Sequence, residues 1–175
     1  QALLRATLAE AAVSADVLAL CEAHGTGTML GDPIEARSLV VAAVEARLPT
    51  TPPLPVCGVK ANVGHAEPAA GLVGLLALSL SLRSAAAAPN AQLRSLNPHV
   101  RWEVQRAACV LPAQLCALAA AARTGGVSSF GYSGTIAHSL VARAAEPSAA
   151  PPLPPPLFKR RAFPWLDAKV PAAVS

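Results

Sequence analysis

Leu3, Leu4, Leu8, Ala11 and Ala12 recur at helical spacing among good helix formers, which predicts a helix over Leu3–Val13. Ser14 to Asp16 ends it, and the apolar run Val17–Cys21 has the length of a strand. Beyond the small residues Gly25–Thr28, a second helix start is written in the sequence. Asp32 suits the N-cap, Pro33 the first helical position and Glu35 the acid of a capping box. The helix expected from Pro33 to Leu48 is amphipathic. Ile34, Leu39, Val40, Ala43, Val44 and Leu48 are placed toward the core, and Arg37, Glu45 and Arg47 toward water.

A proline-rich loop, Leu48–Pro55, then leads to a second strand at Val56–Lys60, which breaks into KANVGHAEPAAG. Glu67 suits the positive end of a helix dipole, and Pro68 is tolerable in a first turn. The helix from about Pro68 to Arg83 is apolar nearly all round, which predicts burial, with Gly71 and Gly74 allowing close approach of other backbone. Two strand–loop–helix units in succession predict an α/β fold, a parallel sheet with helices on its faces. Ala85–Arg106 is less regular, broken by Pro89, Asn97 and Pro98, and the pattern leaves the state of Leu111–Arg123 open. Val127–Phe130 and Ile136–Val141 read as strands around a tight Gly131–Gly134 turn, hence an antiparallel pair. The expected division is a body over residues 1–145 and a proline-rich linker over 146–175, ending in the docking segment LFKRRAFPWL.

Composition agrees with one well-buried body: 53% of residues are hydrophobic, while aromatics make up only 3%, so the core is aliphatic. The net charge of +4 is a feature of the tail. Residues 1–150 carry 10 Lys+Arg against 9 Asp+Glu, and residues 151–175 carry 4 against 1. With no basic stripe or stacking aromatics in the body, nucleic-acid binding is excluded as an expectation. The longest apolar run, Ala69–Leu82, is too short for a membrane span. Cys21, Cys57, Cys109 and Cys116 have no CxxC spacing and read as free, reduced thiols, which points to a cytoplasmic or organellar setting. Gln1 is not an initiator methionine, so the sequence is expected to begin inside something longer.

The candidate chemistry sits where strands end. His24 and His65 occupy matching strand-to-helix loops and could converge on one carbonyl oxygen, stabilising an enolate by paired hydrogen bonds. Lys60, five residues before His65, could hold or tune it, and the Thr26 and Thr28 hydroxyls could meet an amide-bearing chain. The plainer alternative is that the histidines are satisfied core groups and the threonines turn formers. No third ligand appears in a comparable motif, so no metal is expected.

Together, EAHGTGTMLGDPIEA, KANVGHAEPAAGL and GVSSFGYSGTIAH resemble the C-terminal half of polyketide synthase β-ketoacyl synthases, relatives of fatty acid condensing enzymes. The resemblance runs from about Leu3 to Arg143 and implies half of a thiolase-like, layered α/β/α fold. It implies that His24 and His65 are the active-site histidines of decarboxylative Claisen condensation. Lys60 would support His65, and Glu67 would supply the acid of its network. Thr26 and Thr28 would contact the phosphopantetheine arm of an acyl carrier protein, and Tyr132 stands where the family has a gating phenylalanine. The resemblance implies no bound cofactor, with substrates carried on phosphopantetheine. The partners implied are the carrier protein, an acyltransferase in cis or in trans, and a second copy in a homodimer.

The family's nucleophilic cysteine belongs to the N-terminal half, so this stretch alone is expected to be inactive. A non-condensing decarboxylase or partner subunit lacking that cysteine is the alternative. Ile136 replaces the asparagine of SGTNAH and Ala77 a lysine of the GLxGLLK helix. The LFKRRAFPWL segment resembles the linker that wraps back onto the synthase in modular systems. The short spacer before it implies that no acyltransferase domain is inserted there.

Overall fold

The computed structural model describes residues 1–119 and 123–144. The proposed linker and LFKRRAFPWL fall outside the described residues. In chain order the elements are α1 (Ala2–Glu10), β1 (Leu18–Glu22), α2 (Gly31–Leu39), β2 (Leu54–Cys57), α3 (Lys60–Val63), α4 (Ala70–Ser84), β3 (Ala86–Ala87), α5 (Pro98–Val104), β4 (Cys109–Val110), β5 (Cys116–Ala117), β6 (Thr124–Phe130) and β7 (Ile136–Ala142).

β1 is the middle strand of a five-stranded sheet in the order β4-β2-β1-β6-β7. It runs parallel to β2 and β6, and β2 runs parallel to β4; only β7 is antiparallel, joined to β6 by the hairpin the glycine-rich turn predicted. The register of β1 against β6 shifts between Leu18 and Leu20. That irregularity sends Leu18 and Cys21 into one core and Leu20 into the other, where strict alternation would put Leu18 and Leu20 together. The first core joins β1 to Leu8 of α1 and to Val40, Ala43 and Val44. The second lies under α4, where Leu78 and Leu82 meet Leu20, Cys57 and Val127. Gly71 permits this packing: a Cβ there would stand 2.9 Å from Ser129 Oγ.

Helix α4 is not buried all round. Its Ala70, Gly74, Leu78, Ser81 and Leu82 face the sheet, but Leu72, Leu76 and Leu80 are 66%, 63% and 62% exposed. A helix lying on one sheet buries one stripe; an apolar sequence on the far side does not alter that geometry. The helix after Gly31 also differs from expectation. Its α-helical part ends at Leu39 and continues as one π-helical turn over Val40–Val44; Leu48 falls beyond the helix and Ile34 lies on its far face, and both are exposed. Arg47, expected in water, is drawn in. Its guanidinium donates to the carbonyls of Ala15 and Leu18 at 2.7 and 3.0 Å and of Pro52 at 2.8 Å, pinning the start of β1 to the β2 approach. Asp16 accepts from the Leu48 N–H and the Thr51 hydroxyl, both at 2.7 Å, closing the same corner.

Two further corrections concern chain breaks. β2 stops at Cys57, so Lys60 opens a short helix instead of ending a strand. Asn97 and Pro98 start a helix instead of breaking one: the Asn97 side chain accepts from the His99 N–H at 2.9 Å, and Pro98 fills the first turn. No helix among the described residues is long and apolar enough to cross a membrane.

Candidate active site

β1 and β2 end side by side, with Glu22 opposite Cys57 and the Ala23 N–H donating to the Cys57 carbonyl at 2.8 Å. The loops that follow therefore leave the same edge of the sheet, where parallel α/β folds gather their chemistry. His24 and His65 meet there, ring centroids 6.1 Å apart and planes at 89°. Phe130, at the end of β6 on the other flank of β1, closes the group with its ring 5.1 Å from that of His24.

Three side chains shape the His24 loop. Glu35 accepts the backbone N–H of His24 at 2.7 Å and of Gly25 at 2.9 Å. Asp32 accepts from Gly27 and Thr28 at 3.1 and 3.3 Å, and the Thr28 hydroxyl accepts from Gly31 at 3.0 Å. The residues read as a capping box thus brace the preceding loop. Helix α2 begins one residue before Asp32, with Leu30 at its N-cap and no side-chain cap. The loop can turn so tightly because Gly25 and Gly27 take positive φ angles of 48° and 77°.

His65 Nδ1 accepts the backbone N–H of Glu67 at 2.8 Å. In the neutral imidazole this places the proton on Nε2, leaving that nitrogen as the donor. The contact comes from the Glu67 main chain, not from its carboxylate. Lys60 donates to the carbonyl oxygen of His24, so it ties the second loop to the first. Among the described residues His24 Nδ1 is buried without a hydrogen-bond partner.

The electrostatics favour neutral imidazole at His24. Burial lowers its pKa, and the charges of Lys60 and His65 lower it further. Burial also lowers the pKa of Lys60, against the opposing pull of Glu22, Glu35 and Asp32. Burial raises that of Glu35 despite its two N–H partners, and pushes Glu22 up to about 7.

Beside His65 opens a cleft of about 500 Å³, whose lining includes Gly25, Thr26, Lys60 and His65 together with the apolar Leu93, Leu96 and Val100. Thr26 thus stands on its wall, and Thr28 is engaged as the loop brace described above. Tyr132, in the β6–β7 turn, is fully exposed and is not among the residues lining this cleft. Ile136 lies directly opposite Phe130 across the hairpin. Cys21 and Cys57 are buried thiols pushed up to about 12 by desolvation, and burial raises Cys109 as well, so these three are poor nucleophiles at neutral pH. Among the described residues no cluster of three His, Cys, Asp or Glu could hold a metal ion. Phe130, Glu22 and the loop-bracing role of Glu35 escaped the sequence reading. The scarcity of aromatics was a usable signal for Phe130 alone.

The family model of the β-ketoacyl synthase C-terminal domain matches residues 1–94. Over 99% of its length the chain is 36% identical to the spectinabilin polyketide synthase system protein NorC of Streptomyces orinoci, covering 8% of that protein. Over 100% of its length it is 36% identical to mycoketide-CoA synthase of Mycobacterium tuberculosis, covering 4% of it. The chain therefore spans under a tenth of the length of either. Among solved structures, an oxazolomycin ketosynthase domain from Streptomyces albus matches 92% of the chain with a TM-score of 0.75 and 32% identity, 30% of that structure being covered. Ketosynthase twelve of the bacillaene polyketide synthase of Bacillus amyloliquefaciens matches 81% with a TM-score of 0.73 and 28% identity, 25% of it being covered.

Proposed function

The chain belongs to the β-ketoacyl synthase C-terminal domain family, and on that footing we propose that it supplies the histidine-bearing part of a polyketide ketosynthase. The reaction proposed is decarboxylative Claisen condensation. A malonyl-type thioester on the phosphopantetheine of an acyl carrier protein loses carbon dioxide, and its electron pair passes into an enolate. His24 and His65 donate hydrogen bonds to the enolate oxygen, where negative charge develops. The enolate carbon then attacks an acyl thioester on a cysteine, whose thiolate departs.

The observation that carries this reading is the perpendicular pair of imidazoles with one tautomer fixed, the His65 proton standing on Nε2. Lys60 supports it by anchoring the His24 loop, and Thr26 by lining the cleft where a pantetheine arm would lie. We assign the attacking cysteine to a part of the synthase outside residues 1–144, because burial disfavours the thiolate at Cys21, Cys57 and Cys109, and Cys116, on β5 against β3, is not among the residues lining the cleft. The exposed row Leu72, Leu76 and Leu80 fits a surface that other parts of a complete domain would cover. An acyltransferase, a carrier protein and a second synthase copy are the proposed partners, in a cytoplasmic or organellar setting. Ile136, paired with Phe130 across the β6–β7 hairpin, would bear on acyl choice beside His24.

The test is carbon dioxide release from malonyl carrier protein by the complete synthase, beside His24→Ala and His65→Ala. Each substitution should cut release about 10²- to 10³-fold, the usual effect of losing one oxyanion donor. Undiminished release in both would overturn the assignment.

A further inference from the structure

A buried carboxylate below the histidine loops has no part in the scheme above. Glu22 ends β1, is only 3% exposed, and turns toward α4, its Cγ lying 3.6 Å from where a Gly74 Cβ would stand. One carboxylate oxygen accepts the Val59 N–H at 2.6 Å, a charge-assisted bond at the short end of its class. Val59 precedes Lys60, and Glu22 lies two residues before His24, whose carbonyl receives the Lys60 ammonium. The two bonds cross between the end of β1 and the β2–α3 turn and close a small ring, with carboxylate and ammonium on the same short span.

We propose that Glu22, through its bond to the Val59 N–H, is a positioning residue that seats Lys60 on the His24 carbonyl and contributes to its counter-charge. A half-buried ammonium needs one, since desolvation favours its neutral form. The charged groups around this pair are few. Glu35 and Asp32 of α2 also favour charge on Lys60, but Glu35 serves the His24 and Gly25 amides and Asp32 those of Gly27 and Thr28. Lys60 in turn bears on His24, and Cys57 beside Glu22 is a buried, protonated thiol. The residues of α4 facing the sheet, Ala70, Gly74, Leu78, Ser81 and Leu82, carry no charge. Above about pH 7, where Glu22 is ionised despite its burial, it helps to keep the lysine charged, and the charged lysine keeps His24 neutral, so the carboxylate acts on the imidazole through an intermediary.

This inference rests on the ketosynthase reading for its catalytic meaning, but its test does not. In the full-length protein, the pH dependence of amine acetylation at Lys60, read by mass spectrometry, reports the lysine's own titration. Glu22→Gln keeps an acceptor for the Val59 N–H and removes only the charge. The Lys60 titration should then fall by about one pH unit, with the thermal midpoint little changed, and Glu22→Asp should restore most of it. An unshifted titration in Glu22→Gln would overturn the proposal. If that variant does not fold, Lys60→Arg keeps the issue open to measurement, because guanidinium does not deprotonate in the accessible range. Deprotonation of Lys60 should give the parent an alkaline limb in carbon dioxide release that is absent in Lys60→Arg, and an alkaline limb of equal size in both would refute Lys60 as the group Glu22 keeps charged. Absence of any release in the parent protein would count against the ketosynthase reading alone, leaving the acetylation result to stand.

Discussion

The Glu35 carboxylate, eleven residues beyond His24 in sequence, accepts the backbone N–H of that histidine at 2.7 Å and that of Gly25 at 2.9 Å. A loop built on glycines has little shape of its own, so this one carboxylate does much to define where the imidazole points. Glu35→Ala would leave two partly buried amides without acceptors, at about 1–3 kcal/mol each. We expect a lower unfolding midpoint and fast amide exchange at His24 and Gly25. Glu35→Gln, which keeps one acceptor oxygen, should lose roughly half as much.

The depressed pKa of His24 gives a pH prediction with a definite sign. The fold favours the neutral ring, so protonation should occur only below the ordinary value of 6.5, and the acid limb of carbon dioxide release should lie there. Lys60 is the second cause of that depression after burial, so Lys60→Met should move the His24 titration upward. Imidazole Cε1–H proton shifts followed against pH would show it; a downward move would contradict the account.

What the sequence disclosed and what it hid divide by range. The two histidine loops and the β6–β7 hairpin were legible because strand ends, glycines and turn residues are local signals. Helix α5 was missed because Asn97-Pro98 signals both an end and a beginning, and only the Asn97 contact to the His99 N–H decides between them. Asp32 and Glu35 have the spacing of a capping box, yet their partners lie upstream, in a loop whose path no spacing specifies. Phe130 and Glu22 reach the site through the pairing of β6 and β2 with β1, which is a tertiary fact.

The corner held by Asp16 and Arg47 should respond to acid. Hydrogen bonds from Thr51, Leu48 and Ser14 hold the Asp16 pKa below its ordinary value. Its contribution to stability is therefore fully present above the unfolded carboxylate value of 3.8 and is lost as pH falls through the lower folded value. Denaturant unfolding from pH 6 to pH 2 should show a fall that Asp16→Asn largely removes. Arg47→Met, which leaves the Ala15, Leu18 and Pro52 carbonyls without that donor, should destabilise the chain by about 2–4 kcal/mol at neutral pH.

The two sides of α4 predict opposite outcomes for similar substitutions. Leu78 is fully buried against β1 and β6, and Leu78→Ala should cost about 3 kcal/mol in denaturant unfolding of the chain. Leu76→Ala, two residues away on the exposed row, should shift the midpoint by less than about 0.5 kcal/mol. Equal costs at the two positions would mean that the helix is rotated from the orientation described.

The contact that sets the His65 tautomer comes from a peptide amide, so it is recorded in the path of the main chain and not in the chemistry of a side chain. Glu67 holds its amide there at a φ of 47°, a conformation that asparagine and glycine adopt with ease. Alanine scanning would pass over this position with little to report, since every residue but proline brings the same N–H. Homologous chains could therefore differ in charge at position 67, among side chains that a positive φ admits, while inheriting one and the same imidazole proton.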